Sequence, residues 1–172
     1  MSSLLIVGAG TYALLAYEIA DEIKLFEKIA FVDDTKVESP IGDSVVGKFE
    51  DLSSLSEIYT DVIVAIGNPD VRLEMLQRIK NETQLSIASL ISTKAYVAPS
   101  AKLGVGVIIE PFAVIHTSCV IKDGCFISAG AVVNHESTCE ECVHVDCNAT
   151  VKGYTVVLPK TKICSGTVFP LV

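Results

Sequence analysis

Three histidines, His116, His135 and His144, are the side chains in this 172-residue chain best suited to moving protons near neutral pH. A neutral imidazole can take the proton of an amine or hydroxyl as that group attacks a carbonyl. His135 sits in Asn134-His135-Glu136, beside a carboxylate able to orient a ring. The plainer reading of that pair is a solvated surface couple. Cys139-Glu140-Glu141-Cys142, with His144 and Cys147 beyond it, hints at zinc or redox chemistry. Near the other end, Gly8-Ala9-Gly10 and Ala13 follow an apolar run. Glycines there let backbone N–H groups approach a phosphate, and a helix N-terminus favours the anion. Asp33, 23 residues after Gly10, is placed to meet a ribose hydroxyl.

Composition narrows what these groups can serve. The formal net charge is −8, which argues against coating nucleic acid, because phosphate contacts need a basic face. Half the residues are hydrophobic, 6% are aromatic and none is Trp, so the apolar content is aliphatic and favours strands and layered packing. No apolar run approaches the ~20 residues that span a bilayer. The start, MSSLLIVGAG, has no Lys or Arg before a short apolar run and reads as a first strand rather than a signal peptide. All six cysteines fall from Cys119 onward, and the expectation is reduced thiols in the cytoplasm.

The elements that must position these groups come in two kinds. Over the first ninety residues strand and helix signals alternate. Leu4–Val7, Ile29–Val32, Val62–Ile66 and Ile87–Ile91 read as strands. Helical spacing runs from Thr11 to about Lys24 and again after Asn68-Pro69, an N-cap followed by a first-turn proline. Asp51 to Ile58 reads as a short helix, and residues 35–48 as loop. Alternation of this kind implies a parallel sheet covered by helices, here a half-size doubly wound fold. A whole dinucleotide needs a second half, so a nucleotide sugar fits better; the plainer reading is a vestigial scaffold.

From residue 95 the period is six. Val97, Leu103, Ile109, Ile115, Ile121, Ile127, Val133, Cys139, Val145, Val151, Val157, Ile163 and Phe169 are all apolar. The positions two earlier, Ala95 to Thr167, are all small or β-branched. A hexad with one large and one small inward side chain cannot fold alone. It forms one side of a flattened coil, and stacked coils bury an aliphatic column. Three hexads per turn give just over four turns, roughly 20 Å of stack at ~4.8 Å per strand. His135 lies two places after inward Val133 and faces out at a corner. His144, half an eighteen-residue turn later, faces a different side. Cys119, Cys125 and Cys139 occupy inward slots and read as core; Cys142, Cys147 and Cys164 do not. After Asp146 there is no Asp or Glu, while Lys152, Lys160 and Lys162 make that end basic and suited to the phosphates of a coenzyme; the plainer reading is solvated lysines.

The hexads resemble the left-handed parallel β-helix of hexapeptide-repeat acyltransferases. Joined to GAGTYA, FVDD, AIGNPDVR and Asn134-His135-Glu136, they resemble the family of sialic-acid O-acetyltransferases and UDP-4-amino-sugar N-acetyltransferases. The resemblance implies an α/β Rossmann-like half-domain over residues 1–92 and a left-handed β-helix over 93–172. It implies a homotrimer with acetyl-CoA in a groove between neighbouring helices, and a nucleotide sugar reaching in from the N-terminal domain. It carries the catalytic base onto His135, its acidic partner onto Glu136, and a residue near the acetyl group onto His144. His135 of one chain would then share a groove with His144 of the next. It also sets base and ribose contacts at Asp33 and Asp34, with Gly8, Gly10, Gly67, Asn68 and Arg72 near the sugar nucleotide. Tyr12 stands where relatives often carry His, which leaves the sugar contact open. Family members usually continue with further coils and a tail, whereas this chain ends at Phe169-Pro170-Leu171-Val172. γ-Class carbonic anhydrases share the fold and bind zinc through three histidines. Spacings of 19 and 9 do not match that class's close pair plus a distant third, so no metal is expected. The resulting expectation is acetyl transfer from acetyl-CoA to an amino or hydroxyl group of a nucleotide-linked sugar. Two rivals stand beside it: a same-fold acyltransferase with another acceptor, and a non-catalytic subunit that binds sugar nucleotides.

Overall fold

The structure, a computed structural model, describes residues 2–170; Leu171 and Val172 of the expected early end lie outside the described residues. The chain divides into two compact units, Met1–Leu90 and Ile91–Val172.

In the first unit β1 (Ser3–Val7), β2 (Lys28–Val32), β3 (Asp61–Val64) and β4 (Ser86–Ile87) form one parallel sheet in the order β2-β1-β3-β4. Their apolar runs are continuous because a parallel sheet is covered on both faces, and Leu4 to Val7 are wholly buried. Helix α1 (Thr11–Ile23) follows β1, and α2 (Leu52–Leu55) extends a 3-10 turn at Phe49–Asp51, shorter than the expected Asp51–Ile58 helix. Helix α3 (Pro69–Glu82) starts as its sequence requires: the Asn68 Oδ1 accepts the amides of Asp70 and Val71, at 2.9 and 3.3 Å. The chain leaves β1 for β2 on one side and returns to β3 on the other. The carboxyl ends of β1 and β3 therefore part at a topological switch point, where open α/β sheets bind ligands.

The expected strand Ile87–Ile91 is two strands. β4 ends at Ile87, and β5 (Leu90–Ile91) joins a sheet of the coil, where the Ser92 amide donates to the Ile109 carbonyl at 2.9 Å. The six-residue phase reaches back to Ile91, one hexad before the point at which the sequence pattern first declares itself.

The second unit holds, among the described residues, thirteen further two-residue strands from β6 (Tyr96–Val97) to β18 (Val168–Phe169), one per hexad. One face stacks β6, β9 (Val114–Ile115), β12 (Val132–Val133), β15 (Thr150–Val151) and β18. The second stacks β7 (Lys102–Leu103), β10 (Val120–Ile121), β13 (Thr138–Cys139) and β16 (Val156–Val157). The third stacks β5, β8 (Ile108–Ile109), β11 (Phe126–Ile127), β14 (His144–Val145) and β17 (Lys162–Ile163). The second residue of each strand points inward into one aliphatic core. Corners are turned by residues with left-handed φ stacked eighteen apart: Ser118, Glu136 and Tyr154; Phe112, Gly130, Asn148 and Gly166; Gly106, Gly124, Cys142 and Lys160. Only glycine enters that region without steric cost, so each non-glycine corner carries strain of ~1 kcal/mol.

Candidate active site

His135 occupies the corner between the face of β12 and the face of β13. Val133 is drawn inward, and the Asn134 Oδ1 accepts the His135 amide at 2.8 Å, which tightens the turn. The half-buried imidazole lies flat on the next coil. A Cβ at Gly153 would fall 2.8 Å from its Cε1, 3.1 Å from Nε2 and 3.2 Å from Nδ1. A side chain at 153 would push the ring out of this seat. The Tyr154 ring meets it edge-on, with centroids 4.9 Å apart and planes at 81°, and the Tyr154 amide donates to the His135 carbonyl at 3.1 Å. Glu136 is exposed at φ 56°, and no hydrogen bond joins its carboxylate to the His135 ring. His116 is exposed one coil below Asn134, on the same corner.

His144 is elsewhere. It points outward from β14, on the face opposite the His135 corner, so a single chain does not bring the two together. Its ring is 0% exposed, packed on Phe126 at 5.3 Å between centroids, and its Nε2 lies 3.2 Å from the Ser128 Oγ. As folded, the chain itself encloses the ring, and contact with a coenzyme would require that enclosure to open. Ser128 also hydrogen-bonds buried Glu110, whose Oε2 accepts the Ala129 amide at 3.0 Å. Burial pushes the Glu110 carboxyl up, against the pull of those two donors. The Asp146 carboxyl behaves oppositely: partial burial would raise it, but the Cys147 amide, His144 and Lys162 together hold it low.

The three lysines separate. Lys152 is on the His135 corner, one coil above Asn134. Lys160 is at a left-handed corner between β16 and β17. Lys162 pairs in register with His144 and reaches Asp146 Oδ2 at 3.5 Å, which offsets part of its charge.

In the first unit the expected contacts gather at the carboxyl edge of the sheet. Gly8 has φ 110°, and a Cβ there would press on the Ala65 carbonyl of the β3 loop at 3.0 Å. Tyr12, in the first turn of α1, lies against Gly67, so the start of the helix touches the loop after β3 at the switch point. Asp33 braces rather than reaches out: its Oδ2 accepts the Ala9 amide at 2.8 Å, and its Oδ1 accepts Thr35 and Lys36 amides at 2.9 Å. Partial burial would raise its carboxyl, but these donors hold it below the usual range. Lys36 Nζ closes the strap on the Ala9 carbonyl at 2.9 Å. Asp34 accepts the Phe49 amide at 2.9 Å. A pocket of about 190 Å³ opens beside Asp33, Asp34 and Lys48. Arg72, expected beside phosphates, is 1% exposed, and its Nη1 donates to the carbonyls of Ile66 and Gly67 at 2.7 and 3.2 Å. It holds the loop from behind. Asn68 spends its side chain on the helix cap.

None of the six cysteines is in a disulfide; Cys119, Cys125, Cys139 and Cys142 are buried, and burial pushes the Cys139 thiol up to about 12. Cys142 fills a left-handed corner. Among the described residues no three His, Cys, Asp or Glu side chains converge as a metal site would need, and no helix is long and apolar enough to cross a membrane.

Residues 3–79 match the family model of the PglD N-terminal domain, and residues 100–135 match that of the bacterial transferase hexapeptide (six repeats). The acetyltransferase domain of PglB from Neisseria gonorrhoeae, solved in complex with acetyl coenzyme A, superposes with a TM-score of 0.91 at 30% identity, over 96% of this chain and 80% of that one. The chain belongs to the hexapeptide-repeat sugar acetyltransferases, in the PglD-like branch. Its second unit is accordingly a left-handed parallel β-helix. The perosamine N-acetyltransferase of Caulobacter crescentus, solved with CoA and GDP-perosamine, shares the fold with a TM-score of 0.84 at 23% identity, over 98% of this chain and 88% of that one. The bifunctional protein GlmU of Streptococcus equi subsp. zooepidemicus is 34% identical over 102 residues, 59% of this chain, which spans about a fifth (21%) of that longer protein.

In this chain, Gly153, Tyr154, Ser128, Glu110 and Lys36 surround the expected site residues, and their types do not mark them in the sequence. One signal was available: an eighteen-residue turn carries His135 onto Gly153.

Proposed function

We propose that the chain transfers an acetyl group from acetyl-CoA to an amino or hydroxyl group of a nucleotide-linked sugar, with His135 as general base. The observation that carries this is the half-exposed His135 imidazole, seated on Gly153 at a coil corner, in a chain 30% identical to a domain solved with acetyl coenzyme A. His135 takes the acceptor's proton as its lone pair adds to the thioester carbonyl. The adduct then collapses, the carbon–sulfur bond breaks, and the coenzyme thiolate leaves and is protonated. Glu136 has room, as an exposed neighbour, to turn toward the imidazolium that forms.

The acceptor's nucleotide binds at the switch point, with Gly8, Gly10, Tyr12 and Gly67 lining the crevice and Asp33, Asp34, Asn68 and Arg72 fixing its loops. Lys152 and Lys160, with Lys162 weakened by Asp146, draw in the coenzyme phosphates. The active assembly is a trimer, so that prisms lie side by side. A thiol-release assay with acetyl-CoA against UDP- and GDP-linked amino sugars tests the reading. Release that depends on one such sugar supports it. Calorimetric binding of the sugar nucleotide without binding of acetyl-CoA would replace it with an accessory role.

A further inference from the structure

His135 has no side-chain hydrogen bond to its ring among the described residues, so no polar partner fixes the rotation of the imidazole about its Cβ–Cγ bond. That torsion is intrinsically broad. Two contacts from the next coil limit it instead. The Gly153 backbone lies under the ring, and the Tyr154 ring stands nearly perpendicular to it with centroids 4.9 Å apart.

Tyr154, like Phe112, is an aromatic residue at a left-handed corner. Its φ is 58°, in the left-handed column that it shares with Ser118 and Glu136. Bulky side chains are genuine outliers there. The residue is 71% exposed in the single chain, so burial does not offset the strain. Strain of this kind persists where the surrounding structure over-determines it, and it gathers at working sites. The backbone supplies part of that over-determination: the Tyr154 amide is tied to the carbonyl of His135, as the Glu136 amide is to Thr117 and other left-handed corners are to the coil below. The main-chain bond is common to the corners, and the ring contact with the imidazole is what sets Tyr154 apart.

We propose that Tyr154 is a positioning residue, whose ring, set nearly perpendicular to the His135 imidazole, holds it in one orientation on Gly153, the part that an acidic partner plays in a triad. This rests on the reading of His135 as the base. Confinement of a reacting group is worth a great deal: a displacement of about 1 Å can cost on the order of a hundredfold in rate.

The test uses the full-length chain and three proteins: wild type, Y154G and Y154F. Glycine suits the left-handed corner, so Y154G keeps or raises the wild-type Tm. It lowers kcat on the order of tenfold and leaves both KM values within about twofold. Y154F, which keeps the ring edge, restores kcat. A Y154G protein with wild-type kcat overturns the proposal, and so does one that loses Tm and kcat together. A Y154F protein as slow as Y154G also overturns it, by assigning the effect to the hydroxyl. The readout independent of turnover is the NMR shift of the proton on His135 Cε1. The Tyr154 ring current displaces it in wild type and Y154F, and Y154G releases it. If wild type transfers no acetyl group to any acceptor, the reading of the base fails while this shift still decides the positioning.

Discussion

Glu110 is a carboxyl whose ionisation the fold resists. Burial raises its carboxyl, so its favourable contribution is complete below the unfolded value and is lost as pH rises through the raised folded value. Gln at this position keeps an acceptor for the Ala129 amide and carries no proton to lose. The expected outcome is that E110Q gains stability relative to wild type as pH is raised from 4 to 7, measured by urea melts at each pH. A constant difference would contradict the assignment. Thiol chemistry gives a second residue-level check. Buried Cys119, Cys125, Cys139 and Cys142 should resist iodoacetamide at pH 8, and exposed Cys164 should label first, read by peptide mass spectrometry. Rapid labelling of Cys139 would mean that the core is open.

At the scale of elements, the β-helix is held by its inward column. Ile127 is wholly buried in that column, so Ile127→Ala should cost about 2–5 kcal/mol and lower the Tm without changing the fold, by thermal melts followed by circular dichroism. A loss under 1 kcal/mol would show that the coil collapses around the gap. This column was legible in the sequence because every coil repeats one steric demand at one spacing, and the thirteen expected positions are the inward residues of thirteen strands. The boundary at Leu90-Ile91 was not, because a short aliphatic run suits either sheet and only the pairing with β8 decides. Asn68-Pro69 announced α3 because a cap is a local contract between neighbours. Arg72 shows the opposite. An arginine after a Gly-rich turn reads as a phosphate ligand, and only the fold reveals its guanidinium on the carbonyls of Ile66 and Gly67. The Gly153–His135–Tyr154 contact was hidden for a similar reason: its partners lie a full coil apart, and left-handed φ at a tyrosine has no sequence signature.

At the scale of the whole molecule, both units expose apolar side chains, and on the β-helix unit Val156 and Leu158 stand exposed two residues apart, at and just beyond β16. Apolar surface of this sort is what contact between copies covers. The proposed trimer therefore predicts a light-scattering mass of about three times 18.3 kDa. V156D combined with L158D should bring the mass down to the monomer and abolish acetyl transfer while the far-ultraviolet circular dichroism is kept. A wild-type monomer that turns over would remove the need for a neighbouring prism. The central claim remains chemical: one imidazole on a coil corner takes the acceptor's proton. Its most direct measurement is coenzyme A thiol release by wild type and H135A at matched folded fraction. The account predicts a fall in kcat on the order of 10²–10⁴-fold in H135A with an unchanged melting curve, and wild-type turnover by H135A would contradict it.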